Sequence, residues 1–194
     1  SGHTAPLAEI TQATAQIQDH VVICGYGRVG QSIGRFLHLE EQIFIALDDD
    51  PVRVQEAAAG ESNVHYGDCS RADLLQAVGL QRARLLVVAV DNVTIALRIV
   101  QQARALHADL PILVRTRDDN QQEQLLAAGA SEVVPEVLES SLMLASHAVV
   151  LLGVPQLRVQ QRMDSVRRGR YKLLHGYYQG GDVDLLDEQD AAKL

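Results

Sequence analysis

The sequence predicts an α/β fold: a doubly wound, parallel, six-stranded sheet with a helical appendage at its C-terminal end. Three observations predict it. Short apolar runs alternate with helical stripes through most of the 194 residues. The run Leu85-Leu86-Val87-Val88-Ala89-Val90 is apolar at every position, as a parallel strand covered on both faces must be. A glycine turn, Cys24-Gly25-Tyr26-Gly27-Arg28-Val29-Gly30, stands directly between the first apolar run and the first helical stripe.

Taken in order, strands are expected near 20–24, 42–47, 63–66, 84–90, 111–115 and 131–134. Helices are expected near 28–39, 51–59, 71–78, 92–108 and 119–128, with a longer one near 137–152. Six βα steps in this arrangement fit the Rossmann strand order 3-2-1-4-5-6. Local chemistry supports the boundaries. Asp50 before Pro51 makes an N-cap with proline at the first helical position. Ser70-Arg71-Ala72-Asp73 has the spacing of a capping-box variant, and Gly79 and Gly129 stand where helices should stop. Pro135 ends the sixth strand.

Beyond Val154 the pattern changes to a polar segment rich in arginine, from Arg158 to Arg170 and Lys172, read as one more helix to about Tyr178; the acidic end from Asp182 is read as frayed. Ser1-Gly2-His3, without an initiator Met, look like residues left by expression cloning, so the chain is expected to be a piece of a longer protein. The expected organisation is a linker over 1–18, a nucleotide-binding domain over 19–153 and a helical, partly disordered tail over 154–194.

Composition narrows the function. A hydrophobic fraction of 47% supports a buried core, and a net charge of −8 argues against a nucleic-acid backbone as partner. Cys24 and Cys69 are the only cysteines and have no metal-ligand spacing around them, so no metal site is expected and reduced, cytosolic thiols are. The greasiest segment, Leu142 to Val154, is too short to span a bilayer and holds Ser146 and His147.

The glycine turn reads as an adenine-nucleotide site. Gly25 permits the tight turn, Gly27 lets main chain approach a phosphate, and Gly30 lets the helix pack closely on the strand. Tyr26, Arg28 and Val29 complete the loop, whose helix turns free N–H groups and a positive dipole end toward a ligand. Asp48 follows eighteen residues beyond Gly30, the position from which a carboxylate meets an adenosine ribose, with Asp49 beside it. Successive acids disfavour a 2′-phosphate, which makes NAD(H) or AMP the expected ligand. Asp68 and Cys69 after the third strand, and Asp91 and Asn92 after the fourth, join the candidate set; Asp68 and the Asp91-Asn92 pair serve equally as helix caps. Arg28 opposes the helix dipole by ~0.3–1 kcal/mol in the first turn, a conflict that a bound anion relieves.

Catalytic machinery is not found. A dehydrogenase needs a substrate pocket opposite the nicotinamide and an acid or base within reach. His38, His65, His107 and His147 have no partners at metal or triad spacing, and Tyr171-Lys172 lacks the one-turn spacing that would put both on one helix face.

As a set, His20 to Gln31, Leu47-Asp48-Asp49-Asp50, His65-Tyr66-Gly67-Asp68-Cys69-Ser70, Leu74-Leu75, Val78-Gly79 and Ala128-Gly129-Ala130 resemble the TrkA-N, or RCK, domain. The Gly-Arg-x-Gly-Gln form of the turn and Arg115-Thr116-Arg117-Asp118 resemble most the cytoplasmic domain of Kef-type monovalent cation:proton antiporters. The resemblance covers about residues 19–153. It implies a domain hung from a membrane transporter at the cytoplasmic face of the cell membrane, paired as a homodimer, that binds NAD(H) or AMP in the glycine turn. In the glutathione-gated branch it implies a second ligand on the residues matching Arg28 and Arg117; the match ends at Val154, before the family's further glutathione contacts. It also gives a role to the apolar face of the helix at 137–152, formed by Val137, Leu138, Leu142, Ala145, Ala148, Val149 and Leu152, as a dimer contact, beside the alternative of packing on its own sheet.

The reading is therefore a non-enzymatic regulatory domain that gates a potassium or sodium:proton antiporter. Its rivals are a small NAD-dependent oxidoreductase with its substrate site at a dimer interface, and a free-standing adenylate sensor.

Overall fold

Six parallel strands alternate with helices in the computed structural model, which describes residues 4–60 and 63–169. The strands are β1 (Val21–Cys24), β2 (Phe44–Asp48), β3 (Val64–Tyr66), β4 (Leu85–Val88), β5 (Ile112–Thr116) and β6 (Glu132–Pro135). Their order is β3-β2-β1-β4-β5-β6. In register, Cys24 stands beside both Leu47 and Val88, so the carboxyl ends of β1, β2 and β4 finish level with one another. The helices are α1 (Thr4–Thr14), α2 (Arg28–Leu39), α3 (Pro51–Ala58), α4 (Ala72–Ala77), α5 (Val93–Leu106), α6 (Gln122–Ala128), α7 (Glu136–Leu151) and α8 (Gln156–Arg168). The described residues fall into two compact units, one ending at Pro135 and the other beginning at Glu136.

Continuously apolar strands make the sheet two-faced. Alternate residues of a strand point to opposite sides, and each side has its own core. Val22, Cys24, Ile45, Leu47, Leu86, Val88, Ile112 and Val114 feed one, covered by residues of α1, α4, α5 and α6. Val21, Ile23, Phe44, Ala46 and Val87 feed the other, where Tyr26 stacks on Phe44 at 6.2 Å between ring centroids and Ile33, Leu37, Val54 and Ala57 of α2 and α3 pack alongside.

The expected boundaries hold to within a few residues, and two local readings change. Residues 1–18 are expected to be a linker, yet α1 forms there and packs on α4. The Thr14 hydroxyl donates to the Ala77 carbonyl at the end of α4 (2.7 Å), and Arg82 Nη2 donates to the Thr14 carbonyl (3.0 Å). The capping box at Ser70 is not made. The Ser70 hydroxyl donates instead to Asp68 Oδ1 (2.7 Å), and Arg71 is the residue before α4. The helix begins one residue later than that spacing requires, so Ser70 stands before the cap position and its side chain closes a local turn with the carboxylate two residues back.

In the second unit, α7 buries a narrow line at Leu138, Leu142 and Ser146, while Met143, Leu144 and Leu151 are exposed. Arg167 of α8 holds Glu139 of α7 through both carboxylate oxygens (3.2 and 2.9 Å). The expected extension of α8 to Tyr178, the Tyr171-Lys172 pair and the acidic end lie outside the described residues.

Candidate functional site at the sheet's switch point

Strand order reverses between β1 and β4, and ligands of open parallel sheets bind at that reversal, over the carboxyl ends of the strands. The β1–α2 turn fills this position. Gly25 has φ +94, a conformation L side chains rarely adopt, and is gripped from both sides: its N–H donates to Leu47 O (2.8 Å) and the Ala89 N–H donates to Cys24 O (2.7 Å). A Cβ on Gly30 would overlap the Gly25 carbonyl oxygen, so the glycine there is what lets α2 lie against the turn.

Gly27 precedes α2 with no side-chain cap, and the first turn of the helix holds no acidic residue. The N–H groups that open a helix have no intrahelical acceptor, so the main chain at Arg28, Val29 and Gly30 presents donors and a positive dipole end at the reversal. Arg28 is exposed in this first turn. Tyr26 contributes differently from expectation. Its ring is 2% exposed in the core, its N–H donates to Asp48 Oδ2 (2.7 Å), and its carbonyl accepts from Gln31 Nε2 (3.1 Å).

Asp48, at the end of β2, is the centre of the site. It is 4% exposed, and besides Tyr26 N–H it accepts from Asp50 N–H through Oδ1 (2.9 Å). The carboxylate therefore ties the glycine turn to the start of α3. Arg53, in the first turn of α3, donates from Nη1 to Asp48 Oδ2 (3.1 Å) and lies within 3.4 Å of Oδ1. That hydrogen bond and charge pair raise the Arg53 pKa above its ordinary value. Asp49 is exposed beside them, while Asp50 caps α3 by accepting from Val52 and Arg53 N–H.

The remaining candidates divide between site and scaffold. Gly67, after β3, donates its N–H to Asp48 O (2.9 Å), bringing the β3–α4 loop to the same edge. Asp68 is exposed there and accepts from Ser70 N–H (2.9 Å). The Cys69 side chain is buried in the same core as Cys24, so only its main chain is available to a ligand. Burial, then the Cys24 contact, raises the Cys69 pKa and keeps it a thiol; both cysteines are free. Asn92 caps α5 by accepting from Ile95 N–H (3.1 Å), and Asp91 is paired with Arg115 Nη1 across the β4–β5 edge. Arg117 is exposed just after β5, separated from the β1 end by β4. Among the described residues no three His, Cys, Asp or Glu side chains gather to hold a metal ion, and no helix is long and apolar enough to cross a membrane.

Arg53 is the site residue that sequence reasoning missed. Its signal was a cation five residues after Asp48 and in the first turn of a helix, where it opposes the dipole unless an anion answers it.

The family model of the TrkA-N domain matches residues 21–136. Among similar proteins, the putative K(+) efflux antiporter KefB of Alkalimonas amylolytica is 44% identical over 178 residues, covering 92% of this chain and 27% of that protein. The chain thus spans about a quarter of that relative's length. The Kef CTD of Shewanella denitrificans, solved in AMP-bound form, has a TM-score of 0.69 and 32% identity, covering 84% of this chain and 99% of that one. The GsuK channel bound to NAD shares the fold at 22% identity and TM-score 0.60, over 66% of this chain and 23% of that one. With the family model matched over more than half its length, and nearly all of a Kef C-terminal domain covered at 32% identity, the chain belongs to the TrkA-N domain family, among the Kef C-terminal domains.

Proposed function

We propose that this chain is the nucleotide-binding regulatory module of a potassium, or sodium, proton antiporter, working over residues 19–153 at the cytoplasmic face of the cell membrane. It binds NAD(H) or AMP and performs no chemistry on it. The observation that carries the reading is the uncapped N-terminus of α2 directly beside the buried carboxylate of Asp48, at the sheet's reversal. One end suits a phosphate, the other a ribose diol, and both lie on one edge. The AMP-bound Kef domain and the efflux-antiporter relative support it.

Phosphate meets the N–H groups of Arg28, Val29 and Gly30, with Gly25 and Gly27 leaving the approach clear. Asp48 takes the ribose, and Asp49, Asp68, the Cys69 main chain, Asp91 and Asn92 border the ligand. Arg28 and Arg117 are the exposed cations for a second, glutathione-like anion. Two copies pair through the exposed apolar residues of α7. Ligand favours one arrangement of the pair and thereby biases the transport domain, which requires unequal affinity for the two arrangements.

The test is calorimetric titration of the chain with NADH, NAD, AMP, ATP and reduced glutathione, repeated on Asp48→Asn and Arg28→Ala. Asn keeps one of the two oxygens, enough for the Tyr26 N–H, and gives up the acceptor of the Asp50 N–H, so some loss of melting temperature accompanies the loss of charge. Adenine-nucleotide binding that drops at least about tenfold in Asp48→Asn at a temperature where the variant is still folded is the expected result. Absence of binding by every ligand at millimolar concentration overturns it.

A further inference from the structure

Three donors crowd the Asp48 carboxylate in this structure. An ionised carboxylate accepts about four hydrogen bonds, and these donors make four contacts, one Arg53 nitrogen reaching both oxygens: Tyr26 N–H (2.7 Å) and Arg53 Nη1 (3.1 Å) at Oδ2, Asp50 N–H (2.9 Å) and Arg53 Nη1 (3.4 Å) at Oδ1. With the side chain 2% exposed, a diol has no other way round.

The four contacts are not equal. Tyr26 and Asp50 donate from main chain fixed by the glycine turn and by the start of α3, so releasing either unmakes an element. Arg53 donates from a flexible side chain that is 41% exposed. It also overhangs the turn: a Cβ placed on Gly27 would find Arg53 Cζ at 3.6 Å and Nε and Nη1 at 3.8 Å as its nearest neighbours. A ligand lying along Gly27 with its ribose on Asp48 meets the guanidinium at both places at once.

We infer that Arg53 is the exchangeable occupant of the ribose seat: its guanidinium holds Asp48 until the ligand's 2′,3′-diol takes its place, and this exchange sets how strongly the site distinguishes ribose from deoxyribose. The inference rests on the nucleotide reading above and adds a specificity-determining residue to it. A diol that reaches Asp48 displaces the one charged donor there, Arg53 Nη1, so the intact chain gains less from the diol than a carboxylate without Arg53 does. Without Arg53 the buried carboxylate is left short of partners, and the diol supplies them.

The experiment titrates AMP and 2′-deoxy-AMP into the wild-type chain, Arg53→Ala and Arg53→Lys, and reads the ratio of the two affinities. Any loss of attraction for the 5′-phosphate affects both ligands alike and cancels in that ratio. Arg53→Ala is expected to raise the preference for AMP by about five- to tenfold, Arg53→Lys by less, and Asp48→Asn on the Arg53→Ala background to erase the gain. A ratio unchanged or lowered in Arg53→Ala, with AMP still bound, overturns this inference and leaves the nucleotide reading standing. Failure of AMP to bind any of the proteins overturns this inference, and failure of NADH, NAD and ATP as well overturns the nucleotide reading with it.

Discussion

Gly27 and Gly30 answer to different constraints, and the difference separates folding from binding. A methyl at residue 30 collides with the Gly25 carbonyl, a main-chain atom that cannot yield without opening the turn. Gly30→Ala should therefore lower unfolding stability in urea by about 3 kcal/mol. At residue 27 the φ is −76 and the atoms nearest a methyl belong to the Arg53 side chain, at 3.6 Å or more. Gly27→Ala should change stability by about 0.5 kcal/mol or less, while AMP affinity by calorimetry falls at least about tenfold because the phosphate's approach is closed. A parallel loss of both properties in Gly27→Ala would mean that the turn is scaffold alone. His20 supplies the pH dependence. It is fully buried, its Nε2–H donates to Val78 O (2.8 Å), and its Nδ1 has no partner among the described residues. Burial, and more weakly Arg82, lower its pKa from 6.5 against the opposing effects of Val78 and Asp19. The unfolded chain thus takes up a proton at pH values where the native one does not, so this contribution is complete above about pH 6.5 and is lost as pH falls below it. The urea midpoint should drop between pH 7.5 and 5.5, and drop less in His20→Gln, which keeps a donor for Val78. His65, whose pKa burial also lowers, adds a dependence of the same sign that the variant leaves in place.

At the scale of elements, α1 depends on its docking. Its stretch Thr4–Thr14 offers Leu7 and Ile10 as its large apolar residues, too few for a helix that short to persist alone in water. Ile10 enters the core beside α4 residues, and the buried Thr14 hydroxyl reaches Ala77 O across to α4. Thr14→Val removes the donor and leaves a buried carbonyl short of a partner, a loss of about 1–2 kcal/mol. Amide hydrogen exchange should show the protection of α1 falling by about tenfold or more, with β1 and β4 unaffected. Equal exchange in both proteins would show that apolar contact and the Arg82 bond to the Thr14 carbonyl hold α1 without the hydroxyl. The same element explains a limit of sequence reading. Strands β1 and β4 announce themselves by unbroken apolar runs, whereas α1 becomes a helix through contacts that its own pattern does not encode.

At the scale of the whole molecule, the exposed residues of α7 matter most. Leu144 and Leu151 are 72% and 87% exposed, unusual for leucines on a helix that is largely apolar. The homodimer proposed above predicts that the chain sediments as a dimer and that a Leu144→Glu, Leu151→Glu double variant sediments as a monomer with its β-sheet circular dichroism intact. A wild-type monomer at every concentration would remove α7 as a pairing surface.

The sheet, its strand order, the glycine turn and the place of Asp48 at its edge are legible in the order of residues alone. Each of these follows from local chemistry: apolar runs that must be buried on both faces, glycines at positions where a side chain collides or φ is positive, and a carboxylate at a fixed distance along the chain. What those groups do to one another came from the folded arrangement. It spent the Tyr26 N–H on Asp48, turned the Cys69 side chain into the core, tied Asp91 to Arg115 and set Arg53 on the Asp48 carboxylate. Such pairings depend on how strand ends and helix starts converge in space, and a hydrogen bond requires that convergence to within a few tenths of an ångström, which spacing along a chain does not specify.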